Sequence, residues 1–196
     1  MLEKYKEILQ AEFDSTLSHL DTKNLEEAKA LILSCEQKGG RVHVTGIGKP
    51  SYVAGYAASL LSSTGTPSYF LDGTEAIHGS SGQVLENDVV IALSNSGETK
   101  ELLTTIETLK VNQAKIISIS RSVTSSLSML ADVAICSKVD REGDNLNKPP
   151  RASIISEMIA LQSLSILLQA SKNLDIDTYV KWHPGGSIGD SIIGHS

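Results

Sequence analysis

The sequence is defined first by what it has little of. It holds two cysteines, Cys35 and Cys136, in unrelated contexts. Two are too few for a disulfide framework, and no Cys, His or carboxylate cluster has metal-ligand spacing. Both read as reduced core thiols of a cytoplasmic protein, and neither a metal nor another cofactor is expected. Positive charge is also scarce. The 17 lysines and arginines are outnumbered by 23 acidic residues, for a net charge of -6. A general nucleic-acid binder would be basic, so nucleic acid is not an expected partner. Any anionic ligand must then find locally positive groups, such as helix N-termini, Lys or Arg. No apolar run approaches the ~18 residues of a membrane span. Met1-Leu2-Glu3-Lys4 opens a charged helix, so neither a signal peptide nor a membrane partner is expected. What remains is an ordinary soluble balance over 196 residues, 40% hydrophobic and 20% charged. That length fits one domain, 1–196, with a substantial core.

The periodicities give its class. Residues 2–20 repeat apolar positions at helical spacing (Leu2, Tyr5, Ile8, Leu9, Phe13, Leu17, Leu20). A second helix is expected from Asn24, read as its N-cap, to Lys38, stopped by Gly39-Gly40. These N-terminal helices, residues 1–40, precede the first strand. They are expected to pack across the domain or against another subunit. Short apolar strands then alternate with helices. The strands are Arg41–Thr45, Pro67–Leu71, Val89–Leu93, Lys115–Ile119 and Asp132–Cys136. Helices are expected from Pro50 to about Ser63, after Thr99 to about Val111 with Leu102, Leu103, Ile106 and Leu109 on one face, as a short helix within Ser120–Leu130, over Ala152–Gln169, and last at Asp177–Trp182. The loop from Asp72 to Gly82 has room for a helical turn at Glu75–His78. The pattern predicts an α/β, three-layer αβα sandwich around a five-stranded parallel sheet, flavodoxin-like or Rossmann-like. In such sheets ligands bind beyond the carboxyl ends of the strands.

The most informative stretch is Asp88 to Thr99. Val89–Leu93 is an unbroken β-branched run, as a strand buried on both faces requires. Ser94-Asn95-Ser96-Gly97-Glu98-Thr99 follows at once, and then a helix. Such a turn offers free backbone N–H groups and the positive end of a helix dipole to an anion, which reads as a phosphate cradle. The plain alternative is a helix start capped by Ser96, with no ligand.

Five motifs occur in one order: Gly46-Ile47-Gly48-Lys49, Ser62-Ser63-Thr64-Gly65-Thr66-Pro67-Ser68, Glu75-Ala76-Ile77-His78-Gly79, Ser94-Asn95-Ser96-Gly97-Glu98-Thr99 and His183-Pro184-Gly185-Gly186. Through them the chain, from Arg41 to Gly189, resembles the sugar isomerase (SIS) domain family. It is most similar to the D-arabinose 5-phosphate isomerases, without the tandem CBS domains that many of them carry. The resemblance implies an aldose–ketose isomerase acting on a phosphosugar. It implies that Gly48, Ser94, Asn95, Ser96, Gly97 and Thr99 bind substrate and that Lys49, His78, Glu101, Glu142 and His183 are catalytic. Lys49 would stabilise an enediolate or orient substrate. His78, in its own or a neighbour's site, would open the ring or move protons. Either Glu101 or Glu142 would be the shuttle base, unless a histidine is. Glu98, Glu107 and Glu86 read as solvated, and His19, His43 and His195 match nothing.

One departure stands out. The arabinose-phosphate enzymes carry Pro-Thr-Ser-Ser-Thr-Thr, then Gly-Asp, at the start of the long last helix. Here the residues are Pro150-Arg151-Ala152-Ser153-Ile154-Ile155 and Leu161-Gln162. Arg151 is a candidate to replace the lost hydroxyls as a phosphate ligand. Three other readings compete. A dinucleotide-binding domain is weakened by Ser51 at the third position of G-x-G-x-x-G. A non-catalytic phosphosugar sensor and a 6-phospho-3-hexuloisomerase share the fold and the cradle. A homodimer or homotetramer is expected.

Overall fold

A computed structural model describes residues 1–184. Five parallel strands form one sheet: β1 (Val42–Gly46), β2 (Ser68–Phe70), β3 (Val89–Leu93), β4 (Lys115–Ser120) and β5 (Val133–Cys136), in the order β2-β1-β3-β4-β5. Val42 lies beside Ser68 on one side and Val89 on the other, and Val89 beside Lys115. The order reverses between β1 and β3, which makes their carboxyl ends the switch point where such sheets take ligands. Both central strands, β1 and β3, are buried along their whole length.

The two faces of β3 explain its unbroken apolar run. Val89, Ile91 and Leu93 join one core, Val90 and Ala92 the other, as the period of two demands. The first core is closed by α2 (Thr22–Gln37), α3 (Lys49–Ser63) and α7 (Ala152–Ser171). The second is closed by α4 (Gly73–Ala76), α5 (Lys100–Val111) and α6 (Ser126–Leu130). A 3-10 turn, Ser80–Gln83, precedes β3, and α8 (Ile176–Lys181) follows α7. Among the described residues α7 alone is long and apolar enough to cross a bilayer, but half of it is buried within the fold.

The first helix, α1 (Leu2–Ser18), packs on its own chain. It lies over α7 and buries Ile8. The Glu12 carboxylate accepts the N–H groups of Asp140 and Arg141 at 3.0 Å each, which fixes the loop after β5. The α2 cap is Asp21, not Asn24, because the Asp21 side chain accepts the Asn24 N–H. The Asn24 amide instead donates to the Ala134 carbonyl and ties α2 to β5. The turn expected at Glu75–His78 begins two residues earlier, because Asp72 accepts the N–H groups of Thr74 and Glu75.

At the amino edge of the sheet, buried Asp88 holds three segments. Its carboxylate accepts the Arg41 N–H (2.8 Å), the Leu85 N–H (2.9 Å) and His43 Nε2 (3.1 Å). Burial depresses the pKa of His43, so the imidazole is a neutral donor to Asp88. Asp88→Ala leaves the buried His43 donor unpaired and releases the part-buried Arg41 and Leu85 N–H groups, and is expected to cost about 2–3 kcal/mol. A loss below about 1 kcal/mol in urea unfolding would remove Asp88 from this role.

Candidate active site

Three segments meet at the switch point. The first follows β1. Gly46 has no room for a side chain, since a Cβ would sit 3.0 Å from the Pro50 carbonyl carbon and 3.2 Å from the Leu93 carbonyl oxygen. Gly48 follows at φ 69° and ψ -131°, a region open to glycine, and caps α3. It delivers Lys49 to the first position of α3, exposed and with no hydrogen bond or ion pair among the described residues.

The second segment is the cradle after β3. Ser94 is buried, and its hydroxyl accepts the Gly97 N–H at 3.1 Å and lies 3.1 Å from the Thr99 hydroxyl. Gly97 has φ 69°, and a Cβ there would collide with the Ser125 side chain. The turn therefore needs glycine for both conformation and space. Ser96 Oγ accepts the Glu98 N–H, a local bond within the turn. The cap of α5 is Thr99, not Ser96, and no side chain closes that helix start. The first N–H groups of α5 are thus left for an outside acceptor, at the positive end of the dipole. Glu98, read from sequence as solvated, accepts the Ser126 N–H (2.9 Å) and hydroxyl (2.6 Å). Those bonds, the hydroxyl's first, lower its pKa and pin the cradle to α6. Glu101 stands in the first turn of α5, exposed and with no side-chain partner among the described residues.

The third segment follows β2. Gly73 fits beneath Ile47 and Thr45, and its carbonyl accepts the Thr105 hydroxyl at 2.7 Å. This clamps α4 between the β1 loop and α5, with exposed His78 just beyond it. Asp72, which would be the ribose-binding acid of a dinucleotide fold, is committed to capping α4.

The other predicted residues lie elsewhere. Glu142 and Arg151 are at the same sheet edge but on the β5 side. Glu142 is 7% exposed, and its Oε2 accepts the N–H groups of Arg151 (2.6 Å) and Ser153 (3.1 Å), so it caps α7. The Arg151 guanidinium is paired with Asp144 at 2.8 Å. His183 lies at the far end of the fold. Its ring stacks on Tyr179 at 3.9 Å, and its Nδ1 lies 2.7 Å from the Tyr179 carbonyl. The neighbouring Trp182 packs on Gly65, past the end of α3 opposite to Lys49. The rest of that motif, Gly185-Gly186, and His195 lie outside the described residues.

Sequence reasoning missed Glu157. It is 1% exposed on the inner face of α7, and neither carboxylate oxygen has a hydrogen-bond partner among the described residues. Burial, then the nearby charge of Glu142, pushes its pKa up to about 8. The available signal was a lone acid in register with Ser153, Ala160 and Leu164 inside an otherwise apolar stripe. Of the two thiols expected in the core, Cys35 is buried there, and burial, then Asp88, raises its pKa to about 11, whereas Cys136 is only partly buried. A cavity of about 400 Å³ at the amino edge includes Lys38, Lys110, Lys115 and Asp132. Lys115 is paired with Asp132, and Lys110 donates to the Leu130 carbonyl, so two of its three cations are committed.

Residues 36–167 match the SIS domain family, and the chain belongs to it. Its relatives include the arabinose 5-phosphate isomerase KdsD of Escherichia coli K12. The two are 35% identical over 164 residues, covering 82% of this chain and 50% of KdsD. The chain spans about half the length of the curated relatives it matches. Among solved structures, E. coli CFT073 c3406 in complex with arabinose 5-phosphate is similar at a TM-score of 0.87 and 32% identity, covering 93% of this chain and 95% of that one. Vibrio vulnificus NanR complexed with ManNAc-6P, at 19% identity and TM-score 0.72 over 100% of this chain and 68% of its own, shares the fold alone.

Glu157 also gives a stability prediction. Its pKa is higher in the folded than in the unfolded chain, so folding takes up a proton between about pH 4.5 and 8. Stability must fall as pH rises through that window, by ~2–5 kcal/mol from this group. Glu157→Gln is expected to match the wild type near pH 4.5 and to exceed it at pH 8 in urea unfolding. Equal pH slopes for the two proteins would contradict the assignment.

Proposed function

We propose that the chain is a phosphosugar aldose–ketose isomerase of the D-arabinose 5-phosphate/D-ribulose 5-phosphate type. The observation that carries the reading is the uncapped start of α5. Its free N–H groups and the Ser94, Ser96 and Thr99 hydroxyls lie at the switch point, beside a lysine with no ionic partner among the described residues. A dianionic phosphate meets each requirement of such a place: several N–H and O–H donors, a helix dipole and a cation. Asn95 adds an amide whose oxygen is buried without a donor among the described residues.

The chemistry follows from anchoring the phosphate. The bound sugar opens to its aldehyde with help from His78. A base removes the proton on C2, and that electron pair forms the C1–C2 double bond of an enediolate. The charge on O1 is met by the Lys49 ammonium, whose backbone is set at this edge by Gly48 and the start of α3. O2 gives up its proton, C1 receives one, and the carbonyl stands on C2. No oxidant or reductant is needed. The shuttle base is drawn from Glu101, whose carboxylate has no partner among the described residues, and Glu142, which has one oxygen left beyond the α7 cap. Arg151 acts on substrate only if it leaves Asp144.

This reading includes assembly as a homodimer or homotetramer in the cytoplasm. Trp182 holds the end of α8 against the far turn of α3, so His183 reaches a cradle only in another copy.

The test is exchange of the C2 proton with solvent deuterium on a panel of pentose and hexose phosphates. Exchange and isomerisation are expected with a pentose phosphate, and Lys49→Ala should lower kcat/KM by about 100-fold or more. Saturable binding without exchange on any member would instead make the protein a sensor. Turnover confined to hexulose phosphates would replace the pentose assignment.

A further inference from the structure

A carboxyl group buried without a partner is costly, and a fold keeps one where something occupies it in the working state. Glu157 is such a group. Both of its oxygens are buried and unpartnered among the described residues, and one helical turn earlier the buried Ser153 hydroxyl is unpartnered too. The Ser153 N–H meanwhile holds Glu142. Three polar atoms on the inner face of the first turns of α7 therefore have no hydrogen bond beside a carboxylate already tied to the same helix start.

The location follows from the packing of α3 and α7. Both helices begin at the carboxyl edge of the sheet and lie side by side in the same core. Their register is set by three bonds: Gln162 Nε2 to Tyr56 Oη (2.9 Å), Thr64 Oγ1 to Ser165 Oγ (3.4 Å) and Lys172 Nζ to Thr66 Oγ1 (2.6 Å). Counting back at ~1.5 Å per residue brings Glu157 level with the first two turns of α3, the helix that Lys49 opens. Glu157 and Ser153 thus lie on the inner side of the edge on which the phosphate cradle opens.

The chemistry of the occupant is restricted. A cation is disfavoured, because the group sits at the positive end of the α7 dipole, and Glu142 has already given one oxygen to that helix start. An anion is disfavoured by the neighbouring Glu142 carboxylate. What fits is a neutral group that both donates and accepts hydrogen bonds, such as a sugar hydroxyl. Raised by burial, the Glu157 carboxyl keeps its proton at neutral pH and can do both as well.

We propose that Glu157, with Ser153, is a specificity-determining subsite that takes hydroxyl groups of the sugar chain at the end away from the phosphate. The proposal rests on the phosphosugar reading of the cradle. It gives this chain a recognition device at the helix start where it departs from the arabinose-phosphate pattern.

The experiment compares inorganic phosphate, which tests the cradle alone, with pentose and hexose phosphates, which test both parts. Dissociation constants from calorimetry are read beside kcat and KM, so binding is measured even without turnover. Glu157→Leu is expected to weaken sugar phosphate binding by about tenfold or more. The same change should leave inorganic phosphate within twofold. Glu157→Gln should recover part of the loss and alter the preference among sugars of different configuration. Ser153→Ala should weaken sugar phosphates to a smaller degree, and these two milder variants serve if Glu157→Leu does not fold. Unchanged sugar affinity and preference in folded Glu157 variants would overturn the proposal. A parallel loss of inorganic phosphate would overturn it too, by making Glu157 a support of the cradle. So would saturable binding of Mn²⁺ alone that Glu157→Gln abolishes. If wild type binds inorganic phosphate and no sugar phosphate, the phosphosugar reading fails and takes the proposal with it. Sugar phosphate bound without turnover rejects only the isomerase.

Discussion

Because all five strands run in one direction, every helix that directly follows a strand begins at the same edge of the sheet. Each helix start carries N–H groups that the helix cannot satisfy and the positive end of a dipole. The sequence deals with those starts differently. Asp72 closes α4, Ser125 closes α6 and Glu142 closes α7 with side-chain oxygens. Among the described residues no side chain caps the starts of α3 and α5. These two follow the adjacent strands β1 and β3, between which the strand order reverses. The unmet donors and the geometric crevice coincide there, and an acidic protein acquires a local place for an anion.

Carboxylates take unlike roles in this frame according to what surrounds them. Glu98 is spent on the start of α6 and Glu142 partly on that of α7, while Glu101 is uncommitted beside the cradle. Glu157 is buried with no donor among the described residues and keeps its proton. Asp88 is also buried, but with three donors, and serves as a structural anchor at the opposite edge. A residue type gives no role by itself; the count of donors within reach separates a cap, a free carboxylate, a protonated carboxyl and a brace.

The strands were legible because parallel strands covered on both faces need continuous apolar runs, which Val89–Leu93 displays in full. The cradle was legible because its glycine and hydroxyls have a local reason to be adjacent. Other features depend on contacts distant in sequence. Asn24 looks like a cap but serves β5 through the Ala134 carbonyl. Arg151 looks like an anion ligand but faces Asp144 across the loop. His183 belongs to a motif, yet α8 carries it past the far end of α3. Glu157 was hidden because a single acid in an apolar helix gains meaning only when its burial and its missing partners are known.

The most direct test of the account is to see where phosphate lands. In a titration of the ¹⁵N-labelled protein with inorganic phosphate, the account predicts saturable shifts of the backbone amides from Ser96 to Leu102, with smaller shifts at Gly48 and Lys49. The amides around Lys38, Lys110 and Lys115, at the amino-edge cavity, should stay still. Saturable shifts at that cavity, with Ser96 to Leu102 unmoved, would contradict it.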